Sequence, residues 1–575
     1  MSIDLEVDPY DAAATSQPNM APLVQLVVLF GCLGTLLFGY DTGIVSGALV
    51  LVRQDIPLST EQAENVVSIT LILAALSTIA GVPLNAAFGR RFVIMAAALL
   101  YTCGSAIVAC SVGINSLLLG RAVLGVGVGL ASGTVPMYLA EMAPAEWRGT
   151  ILTLNDLNIV LGELLATVAN MAFKDTFGSW RWSMGLAAGP AMVLFAGFHF
   201  LLPESPRWLL MKGRTEEARA ILLRLVGPEH VAAAVAEVSA GLKAAEGADS
   251  KGERLQLGGL RKLVQIWTHA EVRRAALLGI FLMALNQFSG INTVMYYSTT
   301  ILIASGFSRD SSIALACACG LAQLVGVLIS VASMDSKGRR VTALCSCAGV
   351  ALALSTLAAS FSFEGPLASA LKVGALMTYL LAFGSGLSSV PWVVNAEIFP
   401  LRLRATGMGQ ATVSCWLFNW LVGRYFLTVC ETLGVSAAFG IFAICCAVGG
   451  LVLWRFLPET AGTQERRSVP GQELGNREAL SREVPFHCER ERLVAINMCL
   501  HSSRPSRRAQ TCRNWSRKGC VRRVVGALSV GQCASPVRVV EHSRSLSLSI
   551  LSIVHKHQQR AAEEKSMGAE EGEIS

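Results

Sequence analysis

Apolar residues in this chain are gathered into long blocks rather than spread as amphipathic stripes. Six blocks lie at about 22–51, 66–88, 92–112, 116–140, 151–173 and 182–202, and six more at about 275–303, 311–334, 341–361, 368–394, 405–430 and 435–457. An α-helix rises 1.5 Å per residue, so blocks of about twenty residues match a hydrocarbon core of about 30 Å. The pattern predicts an all-α polytopic membrane protein with twelve transmembrane helices.

The segment between the two sets of blocks differs in composition. Residues 204–274 are polar and basic and contain helix-forming stretches such as TEEARAILLRLV, which predicts a cytosolic linker with short amphipathic helices. This linker separates an N-terminal six-helix bundle at 22–203 from a C-terminal six-helix bundle at 275–460. Residues 1–21 are expected to form a cytosolic N-terminus.

The C-terminal tail, residues 461–575, differs in composition from the rest of the chain. It contains scattered Arg and Ser, five of the 16 Cys and no sustained membrane-length apolar run. Such a composition is typical of disorder. Because the Arg, Ser and Cys follow no period, a mis-spliced or frame-shifted gene model is an equal alternative to a regulatory tail.

Short motifs recur between the two halves at an offset of about 250 residues: Gly89-Arg90-Arg91 as Gly338-Arg339-Arg340, Glu141 and Arg148 as Glu397 and Arg404, and Pro203-Glu204-Ser205 as Pro458-Glu459-Thr460. A constant offset indicates a duplicated six-helix unit. The repeated charges lie where helices meet cytosolic loops, and clusters of this kind can lock one face of a carrier and release it when the halves rock. The predicted cytosolic gate comprises Arg90, Arg91, Glu141, Arg148, Arg339, Arg340, Glu397 and Arg404. The alternative is that these charges only fix orientation.

Charge and composition exclude several classes of function. The chain is 53% hydrophobic and 15% charged, and its net charge is +7. Outside the tail, Lys and Arg lie mostly in alternate loops, which is the positive-inside pattern and places both termini in the cytosol. We therefore expect the lipid bilayer as a partner and no nucleic acid. With no nucleophile, base and oxyanion set and no metal cluster, we expect neither an enzyme nor a cofactor.

Asp41 is a carboxylate within the first apolar block, in the stretch LFGYDTGIVSGAL. An ionisable group at membrane depth costs at least a few kcal/mol and marks a candidate functional site. Arg121, near the start of the fourth block, is its natural partner, and such a carboxylate can bind and release a proton as access alternates. A permanently ionised structural pair is the alternative. A second intramembrane cation, Arg424, is expected to extend to the outer interface.

Other polar side chains concentrate on four blocks. Two carboxylates seven residues apart lie on one face of the fifth block, and amides with aromatic rings occur on the seventh, tenth and eleventh. Amides and aromatic faces suit a neutral polyhydroxy ligand, although each residue alone is better explained as a contact between helices. The predicted substrate-binding residues are Asp156, Glu163, Asn286, Gln287, Asn292, Tyr296, Trp392, Asn395 and Trp416.

Several motifs together resemble the sugar porter family of the major facilitator superfamily, over roughly residues 22–460: GRR in both halves, YLAEMAPAEWRG, PESPR, QFSGINTVMYYS, EIFPLRLR and PET. INTVMYYS and VPWVVNAEIFPLRLR look most like proton-coupled myo-inositol transporters. The resemblance implies the major facilitator fold and proton coupling at Asp41 beside Arg121. It also implies ligand contacts at Gln287, Asn292, Tyr296, Trp392 and Trp416.

The chain departs from the family where Asp156 and Glu163 replace the usual Gln, so these acids are candidates to share the titration. We expect a monomeric symporter that moves a proton with a small neutral polyol or sugar, myo-inositol being favoured, in the plasma membrane. An endomembrane is the alternative location. The alternative functions are an uncoupled hexose or pentose facilitator and a non-transporting nutrient receptor on the same scaffold.

Overall fold

The computed structural model describes residues 20–144, 147–246, 263–400 and 403–460. The predicted tail, nearly all of the predicted N-terminus and part of the linker lie outside the described residues. Among the described residues, twelve helical segments are long and apolar enough to cross a membrane. The all-helical, polytopic fold is therefore confirmed.

Seven helices form the N-terminal half: α1 (Pro22–Asp55), α2 (Thr60–Phe88), α3 (Arg90–Ala109), α4 (Ile114–Met142), α5 (Arg148–Phe173), α6 (Ser179–Gly185) and α7 (Ala188–Phe200). Helices α6 and α7 together make the sixth membrane span. The described part of the linker contains the shorter helices α8 (Pro206–Met211), α9 (Thr215–Val226) and α10 (Val231–Glu246).

Eight helices form the C-terminal half: α11 (Ala270–Phe288), α12 (Ile291–Ala304), α13 (Arg309–Lys337), α14 (Arg339–Ser360), α15 (Pro366–Gly384), α16 (Val390–Ile398), α17 (Arg404–Leu433) and α18 (Val435–Phe456). Helices α11 and α12 make the seventh span. The tenth predicted block divides into α15 and the short α16.

The seventh span is interrupted at Gly290, which has a φ of +83°. A side chain is strained in this left-handed conformation, so glycine ends α11 and lets α12 start in a new direction. A Cβ here would also lie 2.5 Å from the Phe442 ring. The break exposes polar side chains at the end of α11 to the interior of the protein.

Small residues let α4 approach its neighbours closely. A Cβ at Gly125 would lie 2.5 Å from the Thr70 carbonyl oxygen of α2, and one at Gly127 would lie 2.8 Å from the Ala97 carbonyl of α3. Such contacts are how transmembrane helices pack without a hydrophobic driving force between them. The close packing fixes the depth at which α4 presents Arg121.

The two halves meet along three helix pairs: α1 packs against α12, α2 against α17, and α5 against α13. By the positive-inside rule, the outer ends of these helices lie near residues 55–60, 173–179, 304–309 and 433–435. Ion pairs between Glu64 and Arg424 and between Lys174 and Asp310 join the halves at this outer end. The two halves are therefore in contact at the outer face in this structure.

Candidate functional site

Asp41 of α1 and Arg121 of α4 are in direct contact. Arg121 Nη1 donates to Asp41 Oδ1 at 2.5 Å, and both residues are buried. Arg121 Nε also donates to the Val66 carbonyl at 3.2 Å, so backbone from α2 helps to hold the guanidinium. A small cavity beside the pair is lined in part by Tyr40 and Tyr101. The structure thus brings together the two predicted coupling residues, and their role with a proton remains a prediction.

A continuous chain of amides crosses the break between α11 and α12. Asn292 Nδ2 donates to Gln287 Oε1 at 2.7 Å, and Gln287 Nε2 donates to Asn286 Oδ1 at 2.8 Å. The chain ends on backbone, since Asn286 Nδ2 donates to the Leu387 carbonyl at 2.7 Å. Gln287 Nε2 also lies 3.1 Å from Cys415 Sγ of α17. These predicted binding residues form one preorganised group of donors and acceptors.

Aromatic side chains lie on the same inner surface. Trp416 Nε1 donates to Ser132 Oγ at 3.3 Å, and its ring meets Phe38 edge-to-face with 5.4 Å between ring centroids. Tyr296 exchanges hydrogen bonds with the Asn419 side chain. Trp416 therefore reaches from the C-terminal half to helices of the N-terminal half.

Trp392 and Asn395 of α16 are placed differently from each other. Trp392 is 37% exposed. Asn395 is buried and its Nδ2 donates to the Pro391 and Gly279 carbonyls at 2.8 and 3.4 Å. Gly279 is eight residues, about 12 Å, before Gln287 along α11, so Asn395 contacts a helix backbone away from the amide chain. The structure does not bring Asn395 together with the other predicted binding residues.

The two acidic residues of α5 reach across to the C-terminal half. The Ser389 hydroxyl donates to Asp156 Oδ2, and Gln323 Nε2 of α13 donates to Glu163 Oε2 at 2.9 Å. Neither Ser389 nor Gln323 is among the predicted site residues. Gln323 is a lone glutamine within an apolar block, so the cost of a polar group at membrane depth is a signal that could have found it.

The predicted gate residues form one cluster in each half. In the N-terminal half, Arg90 Nε and Nη2 each donate to the Glu141 carboxylate at 2.9 Å, and Ser205 Oγ donates to it at 2.5 Å. In the C-terminal half, Arg339 Nη2 lies 3.2 Å from Glu397 Oε1. Glu397 also accepts a hydrogen bond from Thr460. The motifs that recur along the sequence therefore form equivalent arginine–glutamate contacts in the two halves.

Arg91 and Arg340, the second arginines of the two repeated motifs, donate to backbone carbonyls at helix ends. Arg91 Nε donates to the Phe198 carbonyl at 2.7 Å, and Arg340 Nη2 donates to the Trp454 carbonyl at 2.6 Å. Each is turned toward the end of the last helix of its own half. Arg404 is the first residue of α17, and Arg148, whose side chain lies outside the described residues, is the first of α5.

Glu204 caps the start of α3. Its carboxylate accepts from the backbone N–H groups of Arg90, Arg91 and Ser205 at 2.8 to 3.3 Å. A carboxylate is favoured at a helix N-terminus because several N–H groups there have no partner within the helix. Burial nevertheless raises the pKa of Glu204 above its ordinary value. Glu459 caps α14 in the same way, through the N–H groups of Arg339 and Arg340.

Ionic contacts join the halves at the outer face. Glu64 of α2 is fully buried and accepts from Arg424 Nη1 of α17 at 2.8 Å. It also accepts from the Thr428 hydroxyl and backbone N–H, at 2.7 and 2.8 Å. Arg424 thus lies at the outer end of α17, where it also contacts the exposed Glu61 at 3.2 Å, and the structure adds a partner in the other half that the sequence did not indicate. Glu64 escaped prediction because α2 starts at Thr60, six residues before the apolar block.

A second outer contact lies at the turn between α5 and α6. Lys174 Nζ lies 3.6 Å from an Asp310 carboxylate oxygen, and Arg309 Nη2 lies 4.0 Å from Asp175 Oδ1. These side chains are more exposed than Glu64, so each pair contributes little. The buried ion pair of Glu64 and Arg424 therefore contributes more to holding the two halves together at the outer face than these exposed pairs do.

Comparisons with known proteins agree with this geometry. The family described as "Sugar (and other) transporter" matches residues 27–465. The human proton myo-inositol cotransporter is 34% identical over 538 residues, which covers 78% of this chain and 81% of that protein. The major myo-inositol transporter IolT of Bacillus subtilis (strain 168) is also 34% identical, over 454 residues that cover 78% of this chain and 93% of that protein.

A solved structure of the xylose transporter XylE from E. coli, in a partially occluded inward open conformation, matches with a TM-score of 0.66 and 25% identity. That alignment covers 76% of this chain and 99% of the other. XylE is described elsewhere as a proton:xylose symporter, in a structure with bound 6-bromo-6-deoxy-D-glucose that matches with a TM-score of 0.65.

Proposed function

Because this chain belongs to the sugar transporter family of the major facilitator superfamily, we propose that it is a proton symporter of a neutral polyol or sugar, with myo-inositol as the favoured substrate. The observation that carries the proposal is the buried ion pair of Asp41 and Arg121, 2.5 Å apart and within reach of the interior. In a rocking carrier, a carboxylate that alternates between a proton and an arginine links proton binding to conformation.

The substrate is proposed to bind between the halves. The amide chain of Asn292, Gln287 and Asn286 supplies donors and acceptors for hydroxyl groups. Trp416, which follows the Cys415 that contacts Gln287, is proposed to supply an apolar face. A ring with several hydroxyls matches that combination. Myo-inositol is preferred over a hexose or pentose because inositol transporters are prominent among the relatives at 30% identity or more.

In the proposed cycle, a proton from outside neutralises Asp41 and releases it from Arg121. The loaded carrier then rocks, and the proton and the substrate leave to the cytosol. An ion pair that forms again after release favours return of the empty carrier. The plasma membrane is the proposed location, and a monomer contains all the parts that this cycle needs.

The test uses the purified full-length chain in proteoliposomes. An inward proton gradient should drive accumulation of labelled myo-inositol above the external concentration, and a protonophore should abolish the accumulation. Glucose and xylose are compared at the same concentrations. Uptake that only equilibrates under the gradient would point to the uncoupled facilitator instead. A chain truncated after residue 461 should keep its flux, whereas absence of flux in both forms would favour the nutrient receptor.

A further inference from the structure

Two carboxylates in the membrane part, the buried Glu163 and the partly buried Asp156, differ from the others in their partners. Asp41 pairs with Arg121 and Glu64 pairs with Arg424. At the cytosolic ends, Glu141 and Glu397 also each pair with an arginine. Among the described residues, Asp156 and Glu163 instead hydrogen-bond only to a neutral hydroxyl and a neutral amide.

The amide opposite Glu163 has one unsatisfied atom. Gln323 is 2% exposed, and its Nε2 donates to Glu163 Oε2 at 2.9 Å. Its carbonyl oxygen Oε1 is buried and accepts no hydrogen bond among the described residues. A buried acceptor without a donor has lost its hydrogen bonds to water and gained none in return, so such an atom in a native structure needs an explanation.

A proton on Glu163 supplies the missing donor. A carboxylate only accepts, whereas a carboxylic acid has an O–H group and can donate to an amide oxygen while it accepts from the amide N–H. The neutral acid is therefore the form that can satisfy both polar ends of Gln323. A larger cation is disfavoured at this position because Glu163 is only 5% exposed and lies directly against Gln323.

The groups around Glu163 leave it without a neutralising cation of its own. Helix α1 is tightly packed there, since a Cβ at Gly43 would lie 2.6 Å from the Glu163 carbonyl oxygen. Arg121 of α4, the cation that pairs with Asp41 of α1, is already bound by that carboxylate. The other titratable groups that face this region are Asp156 on the same helix, Tyr40 and Asp41 on α1, Tyr296 on α12 and Cys317 on α13.

We propose that Glu163 is a second proton-binding site, in which the proton bridges α5 to Gln323 of α13 and is carried with the substrate. The inference rests on the proposed function and adds a proton to it. One proton passes from external water to a Glu163 oxygen and is later released to cytosolic water, so only an O–H bond forms and breaks.

This site has a direct link to conformation. Helices α5 and α13 belong to different halves and are packed together in a structure whose halves are in contact at the outer face. Protonated Glu163 strengthens that contact by a second hydrogen bond, and ionised Glu163 removes it. Proton binding from outside therefore favours closure of the outer face, and loss of the proton to the cytosol favours reopening.

The decisive measurement is the ratio of protons to substrate, obtained from reversal potentials in proteoliposomes. Glu163→Gln is expected to carry one proton fewer per substrate than the wild type, because its amide cannot titrate. Glu364→Gln, which alters an exposed acid between α14 and α15, is the matched control and should keep the wild-type ratio. An unchanged ratio in Glu163→Gln would overturn the proposal.

An infrared measurement separates this proposal from the transport function. Difference spectra of the purified protein between acidic and alkaline pH should contain the C=O stretch of a buried carboxylic acid, which Glu163→Gln lacks and Glu364→Gln retains. If Glu163→Gln does not fold, Gln323→Leu retains Glu163 and should shift the frequency, since its hydrogen-bond partner is gone. Absence of the band in the wild type contradicts the second site even if symport is observed.

A cationic sugar is the competing occupant. If Glu163→Gln abolishes uptake of protonated D-glucosamine while the ratio of protons to myo-inositol is unchanged, the carboxylate recognises an ammonium group and the proposal is wrong. If uptake by the wild type is independent of the proton gradient, the proposed function is wrong. The infrared band alone then decides whether Glu163 binds a proton.

Discussion

Glu64 and Arg424 form a buried ion pair between the two halves at the outer face, with 2.8 Å between Glu64 Oε2 and Arg424 Nη1. Glu64 and Arg424 must move apart when the carrier opens outward. Breaking a buried pair by removing one partner typically costs roughly 3–5 kcal/mol. The pair therefore stabilises the closed outer face and sets part of the balance between conformations.

We expect Glu64→Gln to shift the carrier toward the outward-open state. Cys415, beside Gln287 in the predicted substrate site, then becomes accessible to a membrane-impermeant thiol reagent added outside, and its modification rate rises at least several-fold. The same variant in a Cys415→Ser background identifies the reacting thiol. Glu61→Gln is the matched control, because Glu61 contacts the same arginine but is exposed and should contribute little.

Asp41→Asn should weaken the coupling of transport to the proton gradient. The amide cannot bind a proton, so accumulation of labelled substrate under an inward gradient is expected to fall below that of the wild type, and only the double variant with Glu163→Gln is expected to stop at equal internal and external concentrations. Exchange of labelled for unlabelled substrate at symmetrical pH checks that the protein is folded. Accumulation that survives in Asp41→Asn but disappears in the double variant with Glu163→Gln would assign coupling to both carboxylates.

Gln287 is the centre of the amide chain, so its loss should weaken substrate binding. Gln287→Ala removes the acceptor of Asn292 and the donor to Asn286. Losing hydrogen bonds to a hydroxylated ligand costs about 1–3 kcal/mol, which should raise the KM roughly 5- to 160-fold. Initial rates of uptake over a concentration series measure the change. A KM that stays at the wild-type value would place the ligand elsewhere.

The two cytosolic clusters should differ in strength. Arg90 lies 2.9 Å from Glu141 and Arg339 lies 3.2 Å from Glu397, and the second pair is more exposed to solvent. An ion pair contributes less to stability when it is more exposed to solvent. Glu141→Gln is therefore expected to slow uptake and lower the melting temperature more than Glu397→Gln. The opposite order would argue that the C-terminal cluster is the main gate.

Glu204 should make stability depend on pH in a defined direction. Its pKa is raised by burial, so the folded protein binds its proton more tightly than the unfolded chain does. Its contribution to stability is fully present below the ordinary pKa and declines as the pH rises through the raised one. The melting temperature of the wild type minus that of Glu204→Gln should consequently shrink with rising pH. A difference that grows would contradict the raised pKa.

Much of the fold follows from local patterns. Blocks of about twenty apolar residues determine the spans, basic loops determine their orientation, and the motif repeat indicates duplication. Helix ends are less predictable. The start of α2 depends on a capping box at Ser59 and Gln62, which adds a polar first turn that hydropathy does not detect.

The candidate site is only partly predictable for the same reason. Arg121 could be matched with Asp41 because an intramembrane charge needs a partner and few were available. The partners of Asn395 and Arg424 could not be predicted, because an amide or a guanidinium on a helix can face the interior, a neighbouring backbone or the interface. Rotation of each helix about its axis decides among these, and that rotation depends on contacts with distant parts of the chain.

The sequence by itself determined the number of spans, the membrane setting, the two repeated halves and the depth of Asp41, because each of these is a local property of composition or spacing. Tertiary structure alone decided that Glu64 closes the outer face with Arg424 and that Glu163 lies against Gln323. Those partners are 360 and 160 residues apart along the chain. Only the packing of one half against the other brings them within hydrogen-bond distance.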